Sequence, residues 1–184
     1  LVVSDLYPNP AIEPGKQLTG INNAILAPSF ETLDRNSEPK QTVEQIVVLF
    51  GGTDPSDLAI KALDALQEIG FPGKVKVIRG LGASEIDTDF NLDVEFLSNV
   101  KNMPRVLADA DIALSSAGRT ITELASLGIP TICLAQNQKE LNHSHTTEDN
   151  GVIMLGLGKD LSVSNLAQQI TKLIDDFQLR KTLH

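Results

Sequence analysis

From residue 44 onward the chain alternates short, wholly apolar runs with longer amphipathic ones, and few folds accommodate that pattern. Gln45-Ile46-Val47-Val48-Leu49-Phe50 has strand length and ends on Gly51-Gly52. Val94 to Leu97, Asp111 to Leu114, Thr131 to Leu134 and Val152 to Leu155 are further short strands, and Lys74 to Ile78 is one that alternates lysine with valine. Between them lie helical stretches. Leu58, Ala62, Leu66 and Ile69 form one stripe, and Leu166, Ile170, Leu173, Ile174 and Phe177 form another. A strand with no polar alternation is covered on both faces, which an antiparallel sheet seldom arranges. Strands separated by helices give parallel pairing. The expected fold is α/β, a Rossmann-like doubly wound parallel sheet of about six strands, preceded by an irregular arm.

Local signals set the expected boundaries. Asp54 reads as a helix N-cap with Pro55 at the first helical position, and Gly70 and Pro72 stop that helix. Asn102-Met103-Pro104 opens a short helix, Arg119 to Leu127 a second, and Ser164 the last, while 138–149 reads as a polar helical stretch. Residues 1–43 differ from the rest. Pro8, Pro10, Pro14, Pro28 and Pro39 break regular structure, so this region reads as an arm and linker with one short strand at Ala24 to Ala27. The chain opens on Leu-Val-Val-Ser-Asp, without an initiator Met or a basic leader. The expectation is therefore that the chain is cut from a longer protein, with an arm and linker over 1–43 and a Rossmann-like domain over 44–184.

Composition removes several functions. A net charge of −9 argues against nucleic acid as a partner, though not against a local anion site. The single cysteine, Cys133, excludes a disulfide framework and a multi-cysteine metal site. No apolar run approaches the roughly 18 residues of a membrane span, so the expected location is cytoplasmic. A Walker A loop, a Gly-x-Ser-x-Gly elbow and a complete dinucleotide fingerprint are all missing; Gly80-Leu81-Gly82 and Gly156-Leu157-Gly158 lack the third glycine.

In a doubly wound sheet ligands bind beyond the carboxyl ends of the strands. Three loops there carry chemistry. Gly51, Gly52 and Thr53 follow the first strand, with two glycines that let a ligand approach the backbone. Ser115, Ser116, Ala117, Gly118, Arg119 and Thr120 run from a strand into a helix, combining hydroxyls, a glycine and a fixed charge as a phosphate or diphosphate pocket needs. Glu123 lies one turn further, where a carboxylate can accept from two vicinal hydroxyls of a ribose. Gln136, Asn137, Gln138 and Asn142 offer amides that both donate to and accept from sugar hydroxyls. His143 and His145, two apart, do not share a helix face and have no third ligand, so no metal site is expected. Val100 and Met103 offer backbone and apolar contact to a flat base.

The run Ser115-Ser116-Ala117-Gly118-Arg119-Thr120-Ile121-Thr122-Glu123-Leu124-Ala125-Ser126-Leu127-Gly128-Ile129-Pro130 resembles the C-terminal domain of GT-B fold nucleotide-sugar enzymes. It is most similar to spore-coat polysaccharide biosynthesis glycosyltransferase-like proteins and the UDP-sugar hydrolase of pseudaminic acid biosynthesis. The transferase that makes lipid II is a more distant likeness. Residues Leu18 to Phe30 look like the crossover between the two GT-B domains, so the resemblance implies that 1–43 ends a missing N-terminal domain and that 44–184 is a nucleotide-sugar-binding domain truncated at its C-terminal end. The resemblance implies a UDP-sugar substrate and no cofactor. The diphosphate would lie on the 115–120 loop, the ribose on Glu123 and the donor sugar near Gln136 to Asn142. The leaving nucleoside diphosphate would depart from the anomeric carbon as an acceptor or water attacks. The catalytic base is expected on the missing N-terminal domain, so this chain is expected to bind donor without turning it over. The rival class is a non-catalytic Rossmann-like binding or interaction module. A receiver-type domain would need acids after the first strand, where Gly51-Gly52 stands instead.

Overall fold

The computed structural model describes residues 2–4, 6, 17–31 and 38–184. Strands β1 (Val2–Ser4) and β2 (Gln17–Thr19) form a small parallel pair. A 3-10 turn (Ile21–Asn23) and helix α1 (Pro28–Glu31) follow. Ala24 to Ala27, expected as a strand, joins these two elements without pairing to any described strand. Phe30 of α1 is buried in the main domain and anchors this segment to it. Residues 38–43 carry no regular structure; 32–37 of the expected linker, and Pro8, Pro10 and Pro14, lie outside the described residues.

The main domain is one six-stranded parallel sheet. Its elements are β3 (Gln45–Leu49), α2 (Leu58–Glu68), β4 (Lys74–Arg79), β5 (Asp93–Ser98) and α3 (Met103–Leu107). Then come β6 (Ile112–Ser115), α4 (Thr120–Ser126), β7 (Thr131–Ala135), β8 (Val152–Leu157), α5 (Val163–Asp175) and α6 (Phe177–Leu183). The strand order is β5-β4-β3-β6-β7-β8, so the direction of winding reverses between β3 and β6.

The apolar runs divide between two faces by parity. Ile46 and Val48 join Leu58, Leu63 and Leu66 of α2 and Leu166, Ile170 and Leu173 of α5. Val47 and Leu49 point the other way, onto Phe30, Leu107 and Leu124. With both parities buried, alternation has no physical basis, and the run is apolar throughout.

Three expected boundaries shift. Helix α2 starts at Leu58, not Pro55, because Asp54 adopts a positive φ of 40° and reaches forward. Its carboxylate accepts from the N–H groups of Leu58 (3.0 Å) and Ala59 (2.9 Å), serving as a cap from outside the helix. The 138–149 stretch is not a helix but two single 3-10 turns, Glu140–Asn142 and Glu148–Asn150. The last helix breaks at Asp176, which caps α6 through Leu179 N, so Phe177 begins a new helix.

Candidate functional site

The β3 and β6 ends diverge at the reversal, and the loops that follow them open a crevice. In sheet order the surrounding segments are 99–103, 79–82, 50–54, 116–120 and 136–143. A cavity of about 330 Å³ occupies the first four. Gly51, Gly52, Val100, Met103, Thr120 and Glu123 all line it, although they come from four separate loops and helix starts. The expected base, ribose and part of the diphosphate positions therefore share one space.

Each wall has a local cause. Gly51 has φ +80°, a conformation that L side chains seldom adopt. Gly82 N–H donates to Gly52 O (3.0 Å), and Gly80 packs so closely on Gly52 that a Cβ there would stand 2.2 Å from its carbonyl oxygen. The Gly80-Leu81-Gly82 run is therefore a brace for the β3 loop. Thr53 faces outward against Gly82. Asn102 caps α3 through Arg105 N and positions Met103 at the cavity. Glu123 lies within the first turn of half-buried α4, and burial raises its carboxyl above the usual carboxylate range.

The 115–120 run separates into different tasks. Ser115 is 0% exposed and donates its hydroxyl to Leu49 O at 2.9 Å, tying β6 to β3 rather than offering a donor to a ligand. Ala117 is buried with Ile121, Cys133 and Val152, so only its backbone is available to the loop surface. Ser116 Oγ has no hydrogen-bond partner among the described residues. It stands 3.9 Å from the Cβ positions that side chains at Gly51 and Gly118 would occupy, between the two loops. Arg119 is exposed beside Gly118, at the start of α4.

The four amide residues lie on the far side of the crevice, outside that cavity. Gln136 Nε2 donates to Phe50 O (3.2 Å) and to Asp54 Oδ1 (2.7 Å), and its N–H donates to Glu140 Oε2 (2.8 Å). It fastens the β7 loop to the β3 loop. Asn137 Oδ1 accepts from Lys139 N (3.0 Å) and Glu140 N (3.3 Å) within its own turn. Gln138 and Asn142 are exposed on the same segment.

Two contacts fell outside the expectations from sequence. His143 Nδ1 lies 2.6 Å from Ala117 O, and His145 Nε2 lies 3.2 Å from Gly118 O. Both rings are therefore engaged by backbone carbonyls of the β6 loop. Among the described residues no group of three His, Cys, Asp or Glu side chains comes together. Cys133 is buried in the sheet, which pushes its thiol far above the ordinary range.

Comparison with known proteins agrees with this architecture. Over 173 residues the chain is 23% identical to the spore coat polysaccharide biosynthesis protein SpsG of Bacillus subtilis, covering 90% of this chain and 51% of that protein. It is 32% identical over 84 residues to a UDP-N-acetylglucosamine–N-acetylmuramyl-(pentapeptide) pyrophosphoryl-undecaprenol N-acetylglucosamine transferase of Bacillus thuringiensis, covering 43% of this chain and 23% of that one. The chain thus spans about half of the first relative and less of the second. Among solved structures, Acinetobacter baumannii MurG superposes with a TM-score of 0.67 at 16% identity, over 100% of this chain and 56% of its own. The calicheamicin glycosyltransferase CalG4 gives 0.61 at 16% identity, over 80% and 38%. These likenesses establish a GT-B type fold. Residues 46–182, the sheet and nearly all its helices, match the model of the glycosyltransferase family 28 C-terminal domain, and the chain belongs to that family.

Proposed function

We propose that this chain is the donor-binding domain of an enzyme acting on a nucleoside-diphosphate sugar, with UDP as its nucleotide. One observation carries the proposal: Glu123 and Thr120 share a cavity of about 330 Å³ with Gly51, Gly52, Val100 and Met103. That volume is in the range of small-molecule sites. In it a base lies against Val100 and Met103, and the ribose hydroxyls donate to the Glu123 carboxylate. The diphosphate crosses from Gly51-Gly52 to Ser116, Gly118 and Arg119. The donor sugar extends toward Gln136, Asn137, Gln138 and Asn142.

Such a site contributes electrostatics to the reaction. Negative charge grows on the diphosphate as the anomeric C–O bond breaks, and donors already aimed at it need no reorganisation. The attacking hydroxyl belongs to an acceptor in a transferase or to water in a hydrolase. The names of the relatives favour transfer within cell-envelope or spore-coat polysaccharide synthesis, in the cytoplasm where nucleotide sugars are made.

Calorimetric titration with UDP, CDP and GDP tests this, and UDP is expected to bind most tightly. Glu123→Ala is expected to weaken UDP by about 10–100-fold, the range for hydrogen bonds to a charged acceptor. Undiminished affinity in that variant removes Glu123 from the ribose; no affinity for any nucleotide in the wild type removes the donor site.

The raised carboxyl of Glu123 has two consequences of opposite sign. The carboxylate form accepts the ribose hydroxyls, so affinity is full above its pKa in the folded chain and falls as pH drops through that value. The decline begins at a less acidic pH than an ordinary glutamate would give. Folding runs the other way, because burial disfavours the charged form: acidification through the same value stabilises the fold. Glu123→Gln, which is neutral, should therefore melt higher while binding UDP more weakly. A lower melting temperature together with wild-type affinity is the result that contradicts this.

A further inference from the structure

We propose that His143 and His145 are positioning residues that set the peptide planes of the proposed diphosphate loop. The proposal rests on the donor-site assignment above and adds to it the groups that hold the loop in register.

A carbonyl oxygen has only lone pairs, so each imidazole nitrogen facing one carries the proton. His143 then donates through Nδ1–H to Ala117 O at 2.6 Å, and His145 donates through Nε2–H to Gly118 O at 3.2 Å. In a trans peptide the N–H points opposite to the C=O of the same plane. Every peptide bond described here is trans. Fixing Ala117 O toward His143 turns Gly118 N–H away from the histidine segment. Fixing Gly118 O toward His145 does the same for Arg119 N–H. Two consecutive planes in one glycine-containing loop are thereby held with their donors on the side away from the β7 loop. Gly118 O also accepts from Ile121 N–H (3.2 Å) at the start of α4, so His145 shares that plane with the helix, whereas the Ala117 plane beside the glycine is held by His143.

The histidines are themselves fixed. Their rings stack with centroids 5.6 Å apart and an interplanar angle of 27°. His145 is 1% exposed. Between them, Ser144 N–H donates to the carbonyl of Leu6, in the arm, at 2.9 Å. The segment therefore links the arm to the loop through three backbone-directed contacts. Sequence spacing alone gave no sign of this, because the partners lie 26 and 27 positions away.

The test compares UDP with uridine in the wild type and in four variants, His143→Ala, His143→Asn, His145→Ala and His145→Gln. The amide nitrogen of Asn stands where Nδ1 stands, and that of Gln where Nε2 stands. In the wild type UDP is expected to bind more tightly than uridine. Each Ala variant should lose about tenfold in UDP affinity with uridine affinity unchanged, and the amide variants should recover most of it. Melting temperatures are recorded alongside, since His145→Ala removes a buried ring; if it does not fold, His145→Gln and the His143 pair carry the comparison. Equal affinity in the Ala variants, or equal loss for UDP and uridine, overturns the positioning role. A wild type that does not distinguish UDP from uridine fails at the earlier step and removes the diphosphate assignment itself. Long-range 1H–15N correlation on the ligand-free chain gives an independent reading. A proton on Nδ1 of His143 and on Nε2 of His145 is expected, and an unprotonated nitrogen at either position overturns the geometry.

Discussion

Gly80→Ala is expected to damage nucleotide binding more than any substitution of an exposed residue around the cavity. The added methyl would stand 2.2 Å from Gly52 O and 2.4 Å from Gly52 Cα. Both atoms are backbone, so no side chain can rotate out of the way. Either the β4 loop retreats, breaking the bond from Gly82 N–H to Gly52 O, or the β3 loop moves into the crevice. The second route shifts Gly51 and Gly52 where the proposed diphosphate crosses. Losing a hydrogen bond to a charged ligand group there is worth about 10–100-fold in affinity, and overpacking costs about 1–3 kcal/mol of stability. UDP affinity is thus expected to fall by about 10–100-fold, with a lowered melting temperature. Leu81→Ala is the control, since Leu81 is 86% exposed on the same tip and should leave stability unchanged. Wild-type UDP affinity in Gly80→Ala would mean that the brace does not set the cavity wall.

The same glycine marks the limit of what the sequence discloses. Gly80-Leu81-Gly82 looks like a broken dinucleotide motif when read along the chain. Its purpose becomes visible only when β4 lies beside β3 and the two loops touch. Features set by local chemistry are legible: buried strands from apolar runs, a parallel sheet from their alternation with helices, and a ligand crevice from the fold class. Glu123, Thr120, Gly51 and Gly52 follow from that reasoning and meet in one cavity. Features set by partners far along the chain are not. Asp54 looks like an adjacent N-cap but reaches four and five residues ahead, held by Gln136 from 82 positions away. Ser115 looks like a ligand donor, yet strand pairing puts Leu49 O within its reach. The 138–149 stretch has a helix-like composition. Its two histidines instead bind the β6 loop, while Gln136 just before it binds the β3 loop, and those long-range bonds replace the helical ones.

Arg180→Met is expected to be the most destabilising single change on the opposite edge of the domain. Arg180 is 1% exposed, and its guanidinium serves four carbonyls. Nη1 donates to Leu173 O (2.9 Å) and Ile174 O, which end α5 and have no following helical N–H because the helix breaks at Asp176. Nη2 donates to Lys40 O (3.1 Å) and Gln41 O (2.8 Å), just before β3. One side chain therefore satisfies a helix end and pins the incoming chain to it. Burial lowers its pKa, while the nearby acids Asp111, Asp176 and Asp175 favour the charged form. Methionine fills much of the volume but leaves all four oxygens without donors. Losing one member of such a buried polar set costs about 3–5 kcal/mol, or roughly 10 °C of melting temperature in a domain of this size. Lysine should fall between, since a single ammonium cannot span two pairs of carbonyls as a planar fork does. The residue sits at the amino ends of the strands, away from the cavity at their carboxyl ends. UDP affinity measured well below the melting temperature should therefore stay near the wild-type value. A Met variant that melts within a degree or two of wild type would show the four contacts to be replaceable by water. A large loss of affinity in a folded Met variant would show instead that the two ends of the sheet are coupled.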